Sequence, residues 1–217
     1  MAETPENVTL SAAEVSEQKQ VRLDKRERML TEGLAPYPLA LPITANIADL
    51  VAKYGDQDLG IDFASGEVVG VAGRIVHLRN TGKLCFAALQ AGDGSRIQAM
   101  ISLAKVGEES LAKWKEFVDL GDQVFVKGEV ITSRRGELSI MAEEWQMASK
   151  ALRPLPNLHS DLNEETRVRQ RYLDLITRDA ARQMVRTRAK MNASLRATFA
   201  AHDFIEVETP MLQVMHG

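Results

Sequence analysis

The sequence predicts an α+β protein: an N-terminal helix, a five-stranded β-barrel, then helices leading into a short strand. Three observations carry this reading. Apolar spacing is helical over residues 17–32, alternates from residue 67 to about 147, and becomes helical again after 164. The alternating runs are short and separated by Gly-containing turn signals. Prolines at 36, 38 and 42, and again at 154 and 156, set the middle of the chain apart, because proline fits neither a helix interior nor a central strand.

Taken in order, residues 1–16 are small, polar and aperiodic, and are expected to be disordered. Residues 17–66 read as a helical extension and connector. Arg22, Lys25, Arg26 and Met29 follow the i, i+3, i+4, i+7 spacing of one helix face, and Gly33 stops the helix. The three prolines then keep the chain extended, a short helix is expected over 47–53, and 54–66 reads as loop.

Residues 67–149 form the predicted barrel. A valine-rich strand at 67–76 precedes the turn Asn80-Thr81-Gly82. Residues 84–90 and 95–101 alternate around Gly92-Asp93-Gly94, a hairpin signal. Leu111, Trp114 and Val118 share a helix face over 108–118. Strands at 122–131 and 137–147 flank the turn Arg134-Arg135-Gly136. Three strands, a helix and two strands within about eighty residues is the order of the OB fold, whose second and third strands commonly bind oligonucleotides. Other small barrels share that order. Residues 150–163 are a linker. Helices are expected over 164–176 and 180–201, the second with apolar Met184, Met191, Leu195 and Phe199 (and Thr198) on its faces. A strand follows at 204–207, ended by Pro210.

Composition bounds the function. With 45% hydrophobic and 26% charged residues the 217-residue chain is ordinary for a soluble globular protein. Its net charge of -3 excludes general electrostatic binding to nucleic acid, so such contact needs a local surface. The single cysteine, Cys85, fits a reducing compartment. The acidic, polar start lacks a signal-peptide pattern, and no apolar run is long enough to span a membrane, so a cytoplasmic location is expected.

Side chains alternate across a strand, which separates barrel core from barrel face. Taking the apolar rows Cys85, Ala87, Leu89 and Ile97, Ala99, Ile101 and Leu138, Ile140, Ala142 as core puts Phe86, Gln98 and Glu137 outside. An outward aromatic beside an amide and a carboxylate suits single-strand recognition. The ring stacks on a base, Gln98 donates and accepts at a base edge, and Glu137 accepts from a base N–H. Arg79 is placed to reach a phosphate or base. The competing reading is a half-buried Phe86 under a loop, with Gln98 and Glu137 merely solvated. His77, His159 and His202 lack ligand spacing, and no metal site is expected.

Several strings resemble class II lysyl-tRNA synthetases: Gly73-Arg74, Gly82-Lys83-Leu84-Cys85-Phe86, Arg96-Ile97-Gln98, Gly136-Glu137-Leu138-Ser139-Ile140, Leu152-Arg153-Pro154-Leu155-Pro156, Arg169-Gln170-Arg171-Tyr172-Leu173-Asp174-Leu175-Ile176, and Phe204-Ile205-Glu206-Val207-Glu208-Thr209-Pro210-Met211. The resemblance runs from about Lys19 onward. It implies that Phe86 stacks on an anticodon base of tRNA(Lys), with Arg79, Gln98 and Glu137 reading the central uracil. It also implies that the helix bearing Arg22, Lys25 and Arg26 leans on the tRNA backbone. Residues 164–217 match the start of the catalytic domain, truncated after the first class II motif, with Pro210 at a homodimer interface. Val168 and His216 depart from the family pattern. Tyr172 and Asp174 are landmarks without assigned chemistry, and Arg167, Arg169, Arg171, Arg178, Arg182, Arg186 and Arg188 read as helix pairing and solvation more than as an RNA patch.

The implied reaction activates lysine with ATP and Mg²⁺ and then esterifies tRNA. Its arginines lie in the second and third motifs, beyond these residues, so no catalytic residue and no cofactor are expected within this chain, and it is expected to be inactive alone. A stand-alone tRNA-binding module and an aspartyl- or asparaginyl-type synthetase fragment are the alternatives.

Overall fold

The computed structural model describes residues 12–55, 57, 59–61, 63–158, 160 and 162–212. Most of the expected disordered tail, and His159 and His216, lie outside them. Helix α1 (Ala12–Thr31) already begins at Ala12, inside the stretch expected to be disordered. It is followed by α2 (Ile47–Tyr54), β1 (Ala64–Asn80), β2 (Leu84–Gln90), β3 (Arg96–Ser102), the short α3 (Leu103–Val106), α4 (Glu108–Phe117), β4 (Gln123–Thr132) and β5 (Leu138–Ser149).

β1 pairs antiparallel with both β2 and β4, and β3 pairs parallel with β5, which closes the strands into a barrel in the order β1-β2-β3-β5-β4. The apolar rows read from the sequence fill it. Ala87 faces Ala99, which faces Ile140, while Cys85 faces Ile101, which faces Ala142. Each row thus combines two small residues with one large one, as a narrow barrel requires. Leu111, Trp114 and Phe117 of α4 cover one end, with Trp114 edge-on to Trp145 at 5.1 Å. Ile47 and Leu50 of α2 pack on the same core. Gly73 admits them, because a Cβ there would stand 2.9 Å from Leu89 Cβ and 3.1 Å from Ile47 Cδ1.

A buried charge node ties the flanking segments to this barrel. The side chain of Lys150 has no exposed surface, and its ammonium donates to Phe117 O at 2.6 Å, Asp119 Oδ2 at 2.5 Å and Asp122 Oδ2 at 2.8 Å. Lys25 of α1 meets the other oxygen of Asp119 at 2.6 Å. Arg22 donates to Leu120 O at 2.9 Å and Ala151 O at 3.0 Å. The connector joins in, as Lys150 N donates to Pro36 O at 3.1 Å and Tyr37 Oη to Lys150 O at 3.0 Å. Burial works against charge on Asp119, but Lys150 and Lys25 outweigh it and hold its carboxyl below the usual range. Burial dominates at Asp122 and pushes its carboxyl up, with Lys150 pulling the other way.

Beyond the linker lie α5 (Glu164–Arg169), α6 (Arg171–Thr177) and α7 (Asp179–Ala201). The single helix expected over 164–176 is interrupted at Gln170, whose φ of -118° and ψ of 58° are not helical. The strand expected at 204–207 is absent. That segment finds no partner strand among the described residues, and a strand cannot satisfy its backbone alone. It turns back instead, with Phe204 edge-on to Phe199 at 5.5 Å.

Replacing Lys150 with Met should cost about 3–5 kcal/mol in urea unfolding, because the buried Asp122 carboxylate is left without its cation while Asp119 keeps only Lys25. Lys113→Ala, which breaks the exposed Lys113–Glu109 pair, should cost no more than about 0.5 kcal/mol in the same assay.

Candidate nucleic-acid interface

The outer face of the barrel is set by a bulge. β1 pairs Ile75 with Leu89 and then His77 with Ala88, which leaves Val76 as an extra residue. Alternation counted from buried Val71 through Gly73 to Ile75 would turn Arg79 inward. The extra residue reverses the parity, so His77 and Arg79 are exposed while Leu78 packs on the core.

Two side-chain rows then cross this face. Arg79 stands opposite Phe86, Phe86 opposite Met100, and Met100 opposite Met141. In the next row His77 stands opposite Ala88, Ala88 opposite Gln98, and Gln98 opposite Ser139. Phe86 and Gln98 are therefore diagonal neighbours, within reach of one bound group. Phe86 is half-buried, resting with Met100 and Met141 in an apolar strip, while its ring lies on the outward side of β2.

The polar residues of the face are bonded to one another. Gln98 Nε2 donates to the Glu137 carboxylate, and Gln98 Oε1 accepts from Ser139 Oγ at 3.2 Å. Glu137 is itself positioned by the β4–β5 turn, its N–H donating to Ser133 Oγ at 3.1 Å. Gln98 therefore presents an N–H donor immediately beside a carboxylate acceptor, next to an aromatic ring and a cation. Sequence reasoning missed Ser139 as the residue that orients Gln98, since a buried serine in an alternating strand carries no distinctive signal.

The α1 cations are placed differently from expectation. They do share one helix face, but that face docks on the barrel: Arg22 is 8% exposed and, like Lys25, is engaged by the node around Lys150. Arg26 is half-buried, paired with Glu27 at 2.5 Å and 6.0 Å from the Tyr37 ring.

Residues 69–148 match the OB-fold nucleic acid binding domain model of tRNA anticodon-binding proteins, and residues 163–217 match the model of class II tRNA synthetases (D, K and N). A lysine–tRNA ligase of Kineococcus radiotolerans is 56% identical over 204 residues, covering 94% of this chain and 40% of that protein. One from Mycolicibacterium gilvum is 55% identical, covering 95% of this chain and 41% of its own length. The chain thus combines an OB-fold nucleic acid binding domain with part of the class II tRNA synthetase (D, K and N) domain, and it is similar to lysine–tRNA ligases along nearly all of its length. It spans about 40% of the length of these relatives. A bifunctional protein of lysylphosphatidylglycerol biosynthesis from Rhodococcus opacus is also similar, at 39% identity over 93% of this chain and 17% of that protein.

The segment matching the synthetase model carries structural arginines. Asp174 is fully covered, receiving Arg171 Nη1 at 2.5 Å and Arg178 Nε at 2.8 Å, and Arg182 closes α6 by donating to Leu175 O at 2.7 Å. Arg169 pairs with Glu165 at 2.8 Å, and Arg186 and Arg188 are exposed on α7. Pro210 is exposed and lies in no regular element. The resemblance implies ATP and Mg²⁺ for the longer ligases, and the described residues show no arrangement built for them. Among the described residues no three His, Cys, Asp or Glu converge as a metal ion's ligands would, and Arg171, Arg178 and Arg182 are turned to carboxylates and carbonyls.

The hydrogen bond from Arg178, helped by the charges of Arg171 and Arg167, holds the Asp174 carboxyl below its usual value of 3.8. A depressed folded value means that the clamp stabilises above the unfolded value and is lost as pH falls through the folded one. A carboxyl-carbon NMR titration should place the Asp174 midpoint below 3.8, and Arg178→Ala should move it up. An unmoved midpoint would show that the clamp is not electrostatic.

Proposed function

We propose that the barrel reads the anticodon of tRNA(Lys) on behalf of a lysine–tRNA ligase. The observation that supports this best is the locked Gln98–Glu137 pair beside the outward ring of Phe86. An acceptor adjacent to a donor complements a ring N–H flanked by a carbonyl, which is the edge that uracil presents. Cytosine offers an acceptor where Glu137 needs a donor, so the carboxylate rejects it. The Phe86 ring holds the base by stacking, and exposed Arg79 across the strand pair takes a phosphate or a base carbonyl.

Within the longer ligase, lysine would be joined to AMP with release of pyrophosphate and then passed to the terminal hydroxyl of the tRNA, with ATP and Mg²⁺ bound outside the residues described here. Exposed Met184, Met191, Leu195 and Phe199 on α7 support a homodimer through the region ending at Pro210. A cytoplasmic location accords with this activity. Among the described residues no helix is long and apolar enough to cross a membrane.

RNA hairpins with UUU, GUU and GUC loops test the reading. The UUU hairpin should bind most tightly, Phe86→Ala should weaken it by about 1–3 kcal/mol, and Gln98→Ala should narrow the gap between UUU and a UCU loop, which differs at the central base. Equal binding of all three loops would remove the lysine assignment. The 217-residue polypeptide by itself should show no lysine-dependent ATP–pyrophosphate exchange above background, and exchange above background would overturn the assignment of that step to residues elsewhere.

A further inference from the structure

The β2–β3 hairpin carries Phe86 and Gln98 along its length and meets α6 and α7 at its tip. Gln90, the last residue of β2, is 6% exposed. Its amide N–H donates to Ile176 O of α6 at 2.9 Å, and its carbonyl oxygen accepts from Arg96 Nε at 3.0 Å. Both ends of the amide are thus engaged, which fixes its orientation. Ile176 O also accepts from Arg182 Nη1 at 3.0 Å, and Arg182 is 7% exposed and paired with Asp179. One carbonyl at the end of α6, where helix carbonyls lack intrahelical partners, is therefore shared between barrel and α7. The turn approaches just as closely. Gly94 has a φ of +96°, and a Cβ on it would stand 2.7 Å from Asp179 Oδ1 and 2.9 Å from Arg182 Nε.

We propose that Gln90 and Arg182 are positioning residues that fix the angle between the RNA-reading face and the synthetase-family helices. This rests on the anticodon reading above. Gln90 lies in the same side-chain row as Phe86 and Ala88, four residues along β2 from Phe86, about 13 Å at ~3.3 Å per residue. A base stacked on Phe86 is therefore held at a set distance and direction from α6. Without the latch the two parts would still fold, but RNA seated on the barrel would be presented to the remainder of the enzyme over a range of angles.

Pulsed electron–electron distance measurement on the full chain tests this, with spin labels at Lys127→Cys on β4 and Arg188→Cys on α7, both exposed, in a Cys85→Ala background. The parent should give a single narrow distance peak. Gln90→Glu keeps the acceptor for Arg96 but cannot donate to Ile176, and it should lose that single peak for a broad spread while binding the UUU hairpin as tightly as the parent. Arg182→Ala, outside the barrel, should broaden the peak in the same way, which covers the case in which Gln90→Glu fails a thermal-melt check of folding. A narrow peak unchanged in the folded variants, or a broad one in the parent, would overturn the proposal. Loss of hairpin binding in the parent would instead remove the anticodon reading while leaving the latch standing.

Discussion

The ammonium of Lys150 organises the molecule. A fully buried cation is tolerated only when it is paired and hydrogen-bonded, and here two carboxylates and a helix-terminal carbonyl surround it. Because those partners come from the α4–β4 connection while Lys150 itself follows β5, the interaction fixes where the chain leaves the barrel. Lys25 and Arg22 complete the same network from α1, and Pro36 and Tyr37 join it from the connector. Three segments remote in sequence are thus registered at one point. Apolar packing alone would hold α1 to the barrel through Met29, but it is non-directional and would leave the exit of the linker unspecified.

A barrel held this way can use its outer surface for recognition. The interior rows are so small and evenly filled that the strands have little freedom to shift, and register therefore dictates which outward residues become neighbours. Phe86 and Gln98 are adjacent through the β2–β3 hairpin, and Ser139 joins them through the pairing of β3 with the distant β5. Arg79 joins them only because Val76 adds a residue to β1. A single bulge thus determines whether the face carries a cation or whether the core has to bury one.

Much of the fold was legible in the sequence, because strand alternation and turn residues are local signals. β2 was bounded correctly, β3 to β5 within a residue or two, and the outward placement of Phe86 and Gln98 followed from apolar parity alone. What was not legible depended on partners. The docking of Arg22 and Lys25 was not legible, because nothing in the spacing of the α1 face reveals Asp119 and two carbonyls waiting opposite. The break at Gln170 hides in an uninterrupted apolar rhythm, since one non-helical residue leaves the spacing on either side intact. The segment at 204–207 has strand composition, but a strand exists only by pairing, and no described residue offers it a partner. Resemblance to a family supplied the role proposed for the face, and periodicity supplied its location.

The electrostatics of the proposed reader follow from the same geometry. A carboxylate on an RNA-facing surface works against affinity, because phosphate contacts supply most nucleic-acid binding energy and Glu137 repels them. Its presence is reasonable only where discrimination matters more than strength, since an acceptor that finds no donor on the wrong base turns a mismatch into a buried unpaired charge. The chain's overall charge of -3 fits that balance, with cations such as Arg79 kept local instead of spread across the surface. Holding Gln98 on Ser139 and Glu137 before RNA arrives also reduces the side-chain entropy lost on binding, which offsets part of the affinity given up to the carboxylate. In the proposed reading the face would therefore choose among bases first and hold RNA second.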